Sequence, residues 1–352
     1  MGMRRILVTG GGGFIGSHAA EFLAERGNSV VLMDNLSRGS LLGYESPHQN
    51  EIWEYLSRIP NLHPVRGDIR NAQQIESVAR NVDVIIHTAA QTAVTSSLQN
   101  PAEDFQINAG GTLNVLEAAR KSPEDPCVIL CSTNKVYGGN VNQIPVRETQ
   151  TRYEFAEDTY QQGIPEEFSI DHCEHSPYGC SKLAADLYAQ DYAHTYGLKT
   201  GIFRMSCIYG PRQYGVEDQG WVAWFIIATL TGKPICIYGD GKQVRDILHV
   251  QDLVRAFQAF IDASERIHHG VYNIGGGPEN TISLLEFLGL IRELAGHSPT
   301  ISYGDWRASD QKVYVSDIKK AGREIGWYPE IVKEQGIAEV VEWVHRNRHL
   351  FH

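Results

Sequence analysis

The feature that most constrains this chain is Thr9-Gly10-Gly11-Gly12-Gly13-Phe14-Ile15-Gly16, which starts at the last residue of the strand-like run Arg5-Ile6-Leu7-Val8-Thr9 and leads into helical spacing that runs to Arg26. Gly10, Gly13 and Gly16 fit Gly-x-x-Gly-x-x-Gly. In a strand–turn–helix, the first glycine permits the tight turn. The second lets backbone N–H groups approach a pyrophosphate, and the third lets helix and sheet pack closely. The N-terminal segment is therefore expected to bind a dinucleotide, with Phe14 and Ile15 in the turn against it. Asp34 closes the next β-branched run, Ser29–Met33, 24 residues after Gly10. A carboxylate there accepts hydrogen bonds from the adenosine ribose hydroxyls and repels a 2′-phosphate, so NAD is expected rather than NADP. Arg38, four residues on, works against that preference.

Short apolar runs continue at Leu62–Arg66, Val82–His87, Cys127–Ser132 and Lys199–Ser206, separated by helical spacing over Ala72–Arg80, Ala102–Lys121 and Lys182–Tyr196. Such alternation predicts an α/β fold: a Rossmann-like, doubly wound parallel sheet whose ligands sit at the carboxyl ends of the strands. Beyond residue 210 the alternation weakens, with strand-like Ile235–Tyr238 and helices near Trp221–Thr231 and Asp252–Ala263. We expect an NAD-binding part over 1–206 that carries the reactive groups, and a smaller substrate-binding part over 207–352 that returns some segments to the first. The polar, acidic stretch Thr151–Glu174 reads as a surface loop insertion.

Charge and cysteine content limit the partners. With 42 acidic against 31 basic residues the net charge is −11, unsuited to nucleic acid or an anionic membrane. An anionic ligand must then be held by a few placed arginines and by helix N-termini. The six cysteines include no Cys-x-x-Cys pair, so reduced thiols, no metal and a cytoplasmic location are expected. The longest apolar run, Trp221–Thr231, is about half of what crosses a bilayer, and the run after Met1–Arg5 is too short for a signal-peptide core.

Candidate reactive groups lie at the strand ends. Gly67-Asp68-Ile69 closes the third strand, where an adenine would lie; Asp68 either bonds its exocyclic amine or caps the following helix. His87-Thr88-Ala89-Ala90 leads to Gln91, and the small residues suit a backbone running close beneath a cofactor. The fifth strand ends Cys131-Ser132-Thr133, and a hydroxyl there can bond a reacting oxygen; Thr133 is the better placed. Tyr-x-x-x-Lys occurs twice, at Tyr178/Lys182 and Tyr238/Lys242. Tyr238 runs into Gly-Asp-Gly and cannot share a helix with its lysine. Tyr178 opens a run with helical spacing, so Lys182 lies on its face, where a cation lowers the phenol pKa towards that of a general base.

Together the glycine turn, Asp34, Asp68, Thr133, Tyr178 and Lys182 resemble the extended short-chain dehydrogenases/reductases that act on nucleotide sugars, over essentially the whole chain. Asp34-Asn35-Leu36-Ser37-Arg38, Ser132–Gly138, Ser176–Lys182, Asp218–Val222, Gly241–Asp246 and Ser309-Asp310-Gln311 resemble most closely the branch that inverts C2 of CDP-hexoses. The resemblance implies transient oxidation of a sugar hydroxyl, turnover of the keto-sugar and reduction on its opposite face. Tyr178 would take the hydroxyl proton, Lys182 hold the nicotinamide ribose and Thr133 bond the sugar oxygen. Asn35, Ser37, Arg38, Ile69, Ala89, Ala90 and Gln91 would border the cofactor. Arg245 and Arg307 would grip the diphosphate, a task arginine suits, and Ser96, Gln219 and Trp221 would line the sugar site. Cys207 departs from the family, where many members carry an asparagine. The Asp-Glu pair that 4,6-dehydratases place after the strand-end threonine is here Asn134-Lys135, so dehydration is not expected. A UDP-sugar 4-epimerase and a non-catalytic NAD-binding protein are the rival readings; the preference for cytosine over uracil rests on resemblance alone. A homodimer through Ala102–Lys121 and Lys182–Tyr196 is also implied.

Overall fold

The computed structural model describes residues 2–41, 47–307 and 310–351. Seven short apolar runs form strands: β1 (Arg5–Thr9), β2 (Ser29–Asp34), β3 (Leu62–Arg66), β4 (Val84–His87), β5 (Cys127–Thr133), β6 (Thr200–Met205) and β7 (His269–Ile274). They make one parallel sheet in the order β7-β6-β5-β4-β1-β2-β3. Because successive side chains leave a strand on opposite faces, β1 feeds two cores. Ile6 and Val8 pack with Ala20 and Leu23 of the helix Phe14–Glu25 and with Phe257 and Phe260 of the helix Val250–Ile267. Leu7 joins Ile75, Val115, Leu116, Ala185 and Ala189 on helices of the other face. The chain leaves β1 towards β2 on one side and reaches β4 on the other, opening a crevice at the strand ends between them. Glycine is obligatory at that point: Gly10 has φ +71°, and a Cβ there would stand 2.6 Å from the Ala89 nitrogen.

The helix carrying Tyr178 and Lys182 begins at Pro177, where Ser176 caps it by accepting the Gly179 N–H at 3.2 Å. Two local expectations change. The periodic stretch Ala102–Lys121 is interrupted by a π-turn over Gln106–Gly110, between helices Pro101–Phe105 and Gly111–Lys121. The segment Thr151–Glu174 is no free surface excursion. It holds a strand Tyr153–Phe155, buries Ile164 completely, and its Glu166 carboxylate accepts the Asn273 N–H of β7 at 2.8 Å. Its polar composition had concealed the few residues that dock.

Beyond β6 the chain builds a second core. Helices Trp221–Thr231, Leu284–Ala295 and Lys333–Arg346 pack through Phe225, Ile226, Phe287, Ile337 and Val340. Strand Val244–His249 pairs with Cys207–Tyr209, Thr281–Ser283 and Val313–Tyr314, and Ile235–Tyr238 pairs with Ile301–Gly304. All six cysteines are free thiols. Among the described residues, no helix is long and apolar enough to cross a membrane.

Candidate active site

A cavity of about 470 Å³ opens at the carboxyl ends of β1, β2, β4 and β5. Its wall includes Gly10, Gly13, Phe14, Ile15, Gly16, Asp34, Asn35, Ser37, Arg38, Asp68, Ile69, Ala89, Ala90, Gln91 and Tyr178. Of the residues expected at the cofactor, only Lys182 lies outside this lining. The Asp34 carboxylate is 9% exposed and is fixed by the backbone, accepting the Gly12 N–H at 2.9 Å and the Leu36 N–H at 2.6 Å. Burial raises its pKa, and those two donors pull it back. Asp68 does not cap the next helix; Asn71 does, accepting the Gln74 N–H. Instead Asp68 pairs with Arg70 at 2.6 Å and accepts from Asn35 at 3.0 Å, and the arginine draws its pKa down to about 2. Gln91 lines the wall, but its amide nitrogen is spent on the Asp104 carboxylate (2.7 Å) and the Ala93 carbonyl (2.9 Å).

At the inner end, Thr133 and Tyr178 meet. Both line the cavity, and Thr133 acts on the Tyr178 phenol; the Thr133 hydroxyl donates to the Asn134 side-chain carbonyl at 3.3 Å and accepts the Lys135 N–H at 3.2 Å. Ser132, the alternative hydroxyl, is committed elsewhere: it donates to Asp186 at 2.7 Å, and Asp186 forms a buried pair with Arg204 at 3.1 Å. Lys182 follows Tyr178 by one helical turn and is buried, with its ammonium donating to the Cys131 carbonyl at 2.6 Å. Burial pushes the Tyr178 phenol up to about 12, and Thr133 pulls it part of the way back. Burial lowers the pKa of Lys182, against which Cys131, Asp186 and Asp104 act. Nearby His87 is clamped between Thr9 (2.7 Å) and Thr112 (3.0 Å), and burial lowers its pKa to about 3, so it is neutral. The second Tyr-x-x-x-Lys is dispersed: the Tyr238 hydroxyl donates to Glu217 and the Lys242 ammonium to Glu148, each at 2.6 Å.

The opposite wall consists of side chains already paired with one another. Trp221 and Gln219 line the cavity, and the Trp221 indole N–H points at the Cys207 sulfur, 3.4 Å away. Arg245 and Arg307 are not in the lining. Arg245 is buried and donates to Asp310 at 2.6 Å; Arg307 meets Asp218 at 3.0 Å and lies over the Tyr238 ring. Ser96 is half-buried on the helix Val94–Gln99, also outside the lining; its neighbour Ser97 accepts the Tyr178 N–H at 3.1 Å. Ser309 lies outside the described residues. Two site features escaped the sequence reading. Arg38 donates to the Tyr214 carbonyl and to Gln219, each at 2.9 Å, and Gln219 in turn donates to Thr92, so a bridge spans the cavity mouth. Lys135, read only as the absence of a dehydratase acid, is part of the wall; its position two residues after Thr133 was the available signal.

A glycine cradle feeding a cavity that ends on a Thr–Tyr pair defines a nucleotide-dependent oxidoreductase-type site, and the chain belongs to the NAD dependent epimerase/dehydratase family, whose model matches residues 6–275. It is thus an NAD-dependent enzyme, and the cradle fits the cofactor: close-approach glycines for the pyrophosphate and the fixed Asp34 carboxylate for the ribose. Among its relatives is the CDP-paratose 2-epimerase of Salmonella typhi, 40% identical over 346 residues, covering 96% of this chain and 98% of the relative. A putative UDP-glucose 4-epimerase of Methanocaldococcus jannaschii is 34% identical over 97% of this chain and 99% of its own. The solved UDP-glucose 4-epimerase of Thermus thermophilus, a complex with NAD, superposes with a TM-score of 0.76 at 30% identity, covering 97% of this chain and 99% of that one.

Proposed function

We propose that this enzyme is a cytoplasmic nucleotide-sugar epimerase that inverts C2 of a CDP-hexose of the paratose/tyvelose type. The observation that carries the reading is the Thr133–Tyr178 pair at the end of an NAD cradle, followed by Asn134 and Lys135 rather than by an acid and a base. Removal of water across a C–C bond needs that extra pair; inversion at a carbinol does not. The identity to the Salmonella typhi enzyme along both chains supports the choice of C2 and of cytidine.

When bound, NAD supplies the reversible two-electron oxidation that converts the sugar carbinol to a ketone. The protein's own residues do the rest. Tyr178 removes the hydroxyl proton and later returns it, and Thr133 holds the same oxygen by hydrogen bonding. Lys182 orients the nicotinamide ribose, and its charge, one helical turn from the phenol, favours the phenolate. Arg245 and Arg307 exchange their carboxylate partners for the diphosphate. Trp221, Gln219 and Ser96 border the sugar. A homodimer fits the apolar side chains left exposed on the two outer helices, Phe105, Leu187, Tyr188 and Tyr196.

Incubation with CDP-paratose followed by NMR should yield the C2 epimer with no net consumption of NAD. The second reading, inversion at C4 of a UDP-sugar, is favoured by the Methanocaldococcus jannaschii relative. A panel of CDP- and UDP-sugars separates the two. A non-catalytic NAD-binding role would require that Tyr178→Phe leave every measured function intact.

A further inference from the structure

Part of the cavity wall beside the reactive pair is formed by Lys135. It follows Thr133 by two residues, is tied to it by the hydrogen bond from its backbone nitrogen, and lines the cavity. Burial and the charge of Arg245 lower its pKa, while Asp310 and Cys207 act in the opposite sense. Arg245 is held by Asp310, and a dianionic group that took the place of Asp310 would meet the lysine and the arginine together in a protein that is acidic overall.

The chemistry locates such a group. In a hexose-1-diphosphate, C2 adjoins the anomeric carbon, and the anomeric oxygen carries the sugar-side phosphate. When the C2 oxygen sits between Thr133 and Tyr178, that phosphate lies within about one side-chain length of Thr133. For a sugar reacting at C4, on the far side of the ring, it does not. From these placements we propose that Lys135 binds the sugar-side phosphate of the nucleotide sugar, with Arg245 as its neighbour on the same diphosphate. The inference rests on the C2 reading above. It gives Lys135 a role in both affinity and regiochemistry: it holds the phosphate end so that C2, and no other carbinol, reaches the reactive pair.

The test uses the NAD-loaded full chain and two probes, CDP and CMP, which differ by the phosphate in question. By calorimetry, Lys135→Met is expected to weaken CDP by about tenfold or more and to change CMP less than about twofold, while Lys135→Arg keeps CDP within about threefold of wild type. With the sugar nucleotide, KM should rise more than kcat falls. Equal CDP affinity in wild type and Lys135→Met would overturn the proposal, as would equal weakening of CDP and CMP. So would a loss confined to kcat, which marks a proton-transfer role. Repeating the pair with UDP and UMP keeps the two readings apart. A wild type that prefers uridine sinks the cytidine assignment and leaves the phosphate comparison standing; a wild type that binds neither diphosphate overturns both.

Discussion

The two sides of the cavity are built from different materials. On the cofactor side the glycine turn and the ribose carboxylate are fixed by the backbone: Gly10 pressed against Ala89, and Asp34 held by two N–H groups. Opposite it the contacts are side chain to side chain: Trp221 with Cys207 in the wall, and, outside the lining, Arg245 with Asp310 and Arg307 with Asp218. Under the proposed function the two arginines change partners when the diphosphate binds. The first side is preorganised and suits a cofactor that stays through every turnover. The second is an exchange surface, suited to a substrate that must come and go.

Five experiments press on that contrast, starting where the sides meet. Tyr178→Phe removes only the phenolic oxygen and should lower kcat by about 10²–10⁴-fold with binding of both ligands intact; steady-state rates alongside NAD titration check this. Asp34→Ser should act on the preorganised side alone, narrowing the preference for NAD over NADP by about a hundredfold, the worth of one charge-assisted contact and the relief of repulsion. An unchanged affinity for CDP in that variant shows the sides are separable. Arg307→Met should do the reverse, weakening CDP by about tenfold and leaving NAD retention alone, as read by calorimetry. Gln219→Leu removes the bridge to Arg38 and Thr92 and should speed NAD release by about five- to tenfold, as expected for losing a charge-assisted bond and a neutral one, followed by fluorescence after rapid dilution. A change in sugar KM instead would move Gln219 back to the exchange side.

The smallest effect is Asp68→Asn. Its ion pair with Arg70 lies near the surface, so the loss of stability at neutral pH should be about 1 kcal/mol or less. The folded-state pKa is lowered from 3.8 to about 2, so on acidification the unfolded chain takes up its proton first. The contribution is therefore present above the ordinary carboxylate range and fades as pH falls from 3.8 towards about 2, where urea midpoints of the two proteins should converge.

The same contrast governs what the sequence reveals. Backbone geometry leaves spacing behind: the turn at Gly10, Gly13 and Gly16, the strand ending at Asp34, and the i, i+4 relation of Tyr178 and Lys182 are all visible as patterns. Strand boundaries follow for the same reason, and β1, β3 and the helix Trp221–Thr231 match their apolar runs residue for residue. Side-chain partnerships across distant segments leave none. Nothing in the spacing of Arg38, Thr92 and Gln219 announces their bridge, and Asp310 and Asp218 carry no mark of the arginines they hold. The π-turn at Gln106–Gly110 was hidden because the apolar rhythm runs through it. Lys182 was legible in its place one turn from Tyr178, whereas the Cys131 carbonyl that anchors its ammonium was not.

The last strand to join the main sheet, β7, has a bearing on how the protein is made. It comes from residues 269–274, after the chain has already gone out to build much of the second core. On the ribosome, β6 therefore waits with an open edge until residue 274 has emerged, and every contact that closes it is long in sequence separation. A fragment ending near residue 206 carries the glycine cradle, Thr133, Tyr178 and Lys182, yet presents that unprotected edge to other chains. Such a truncation is a recipe for aggregation rather than for a minimal NAD-binding module, and its solubility should recover only when the synthesised length passes β7.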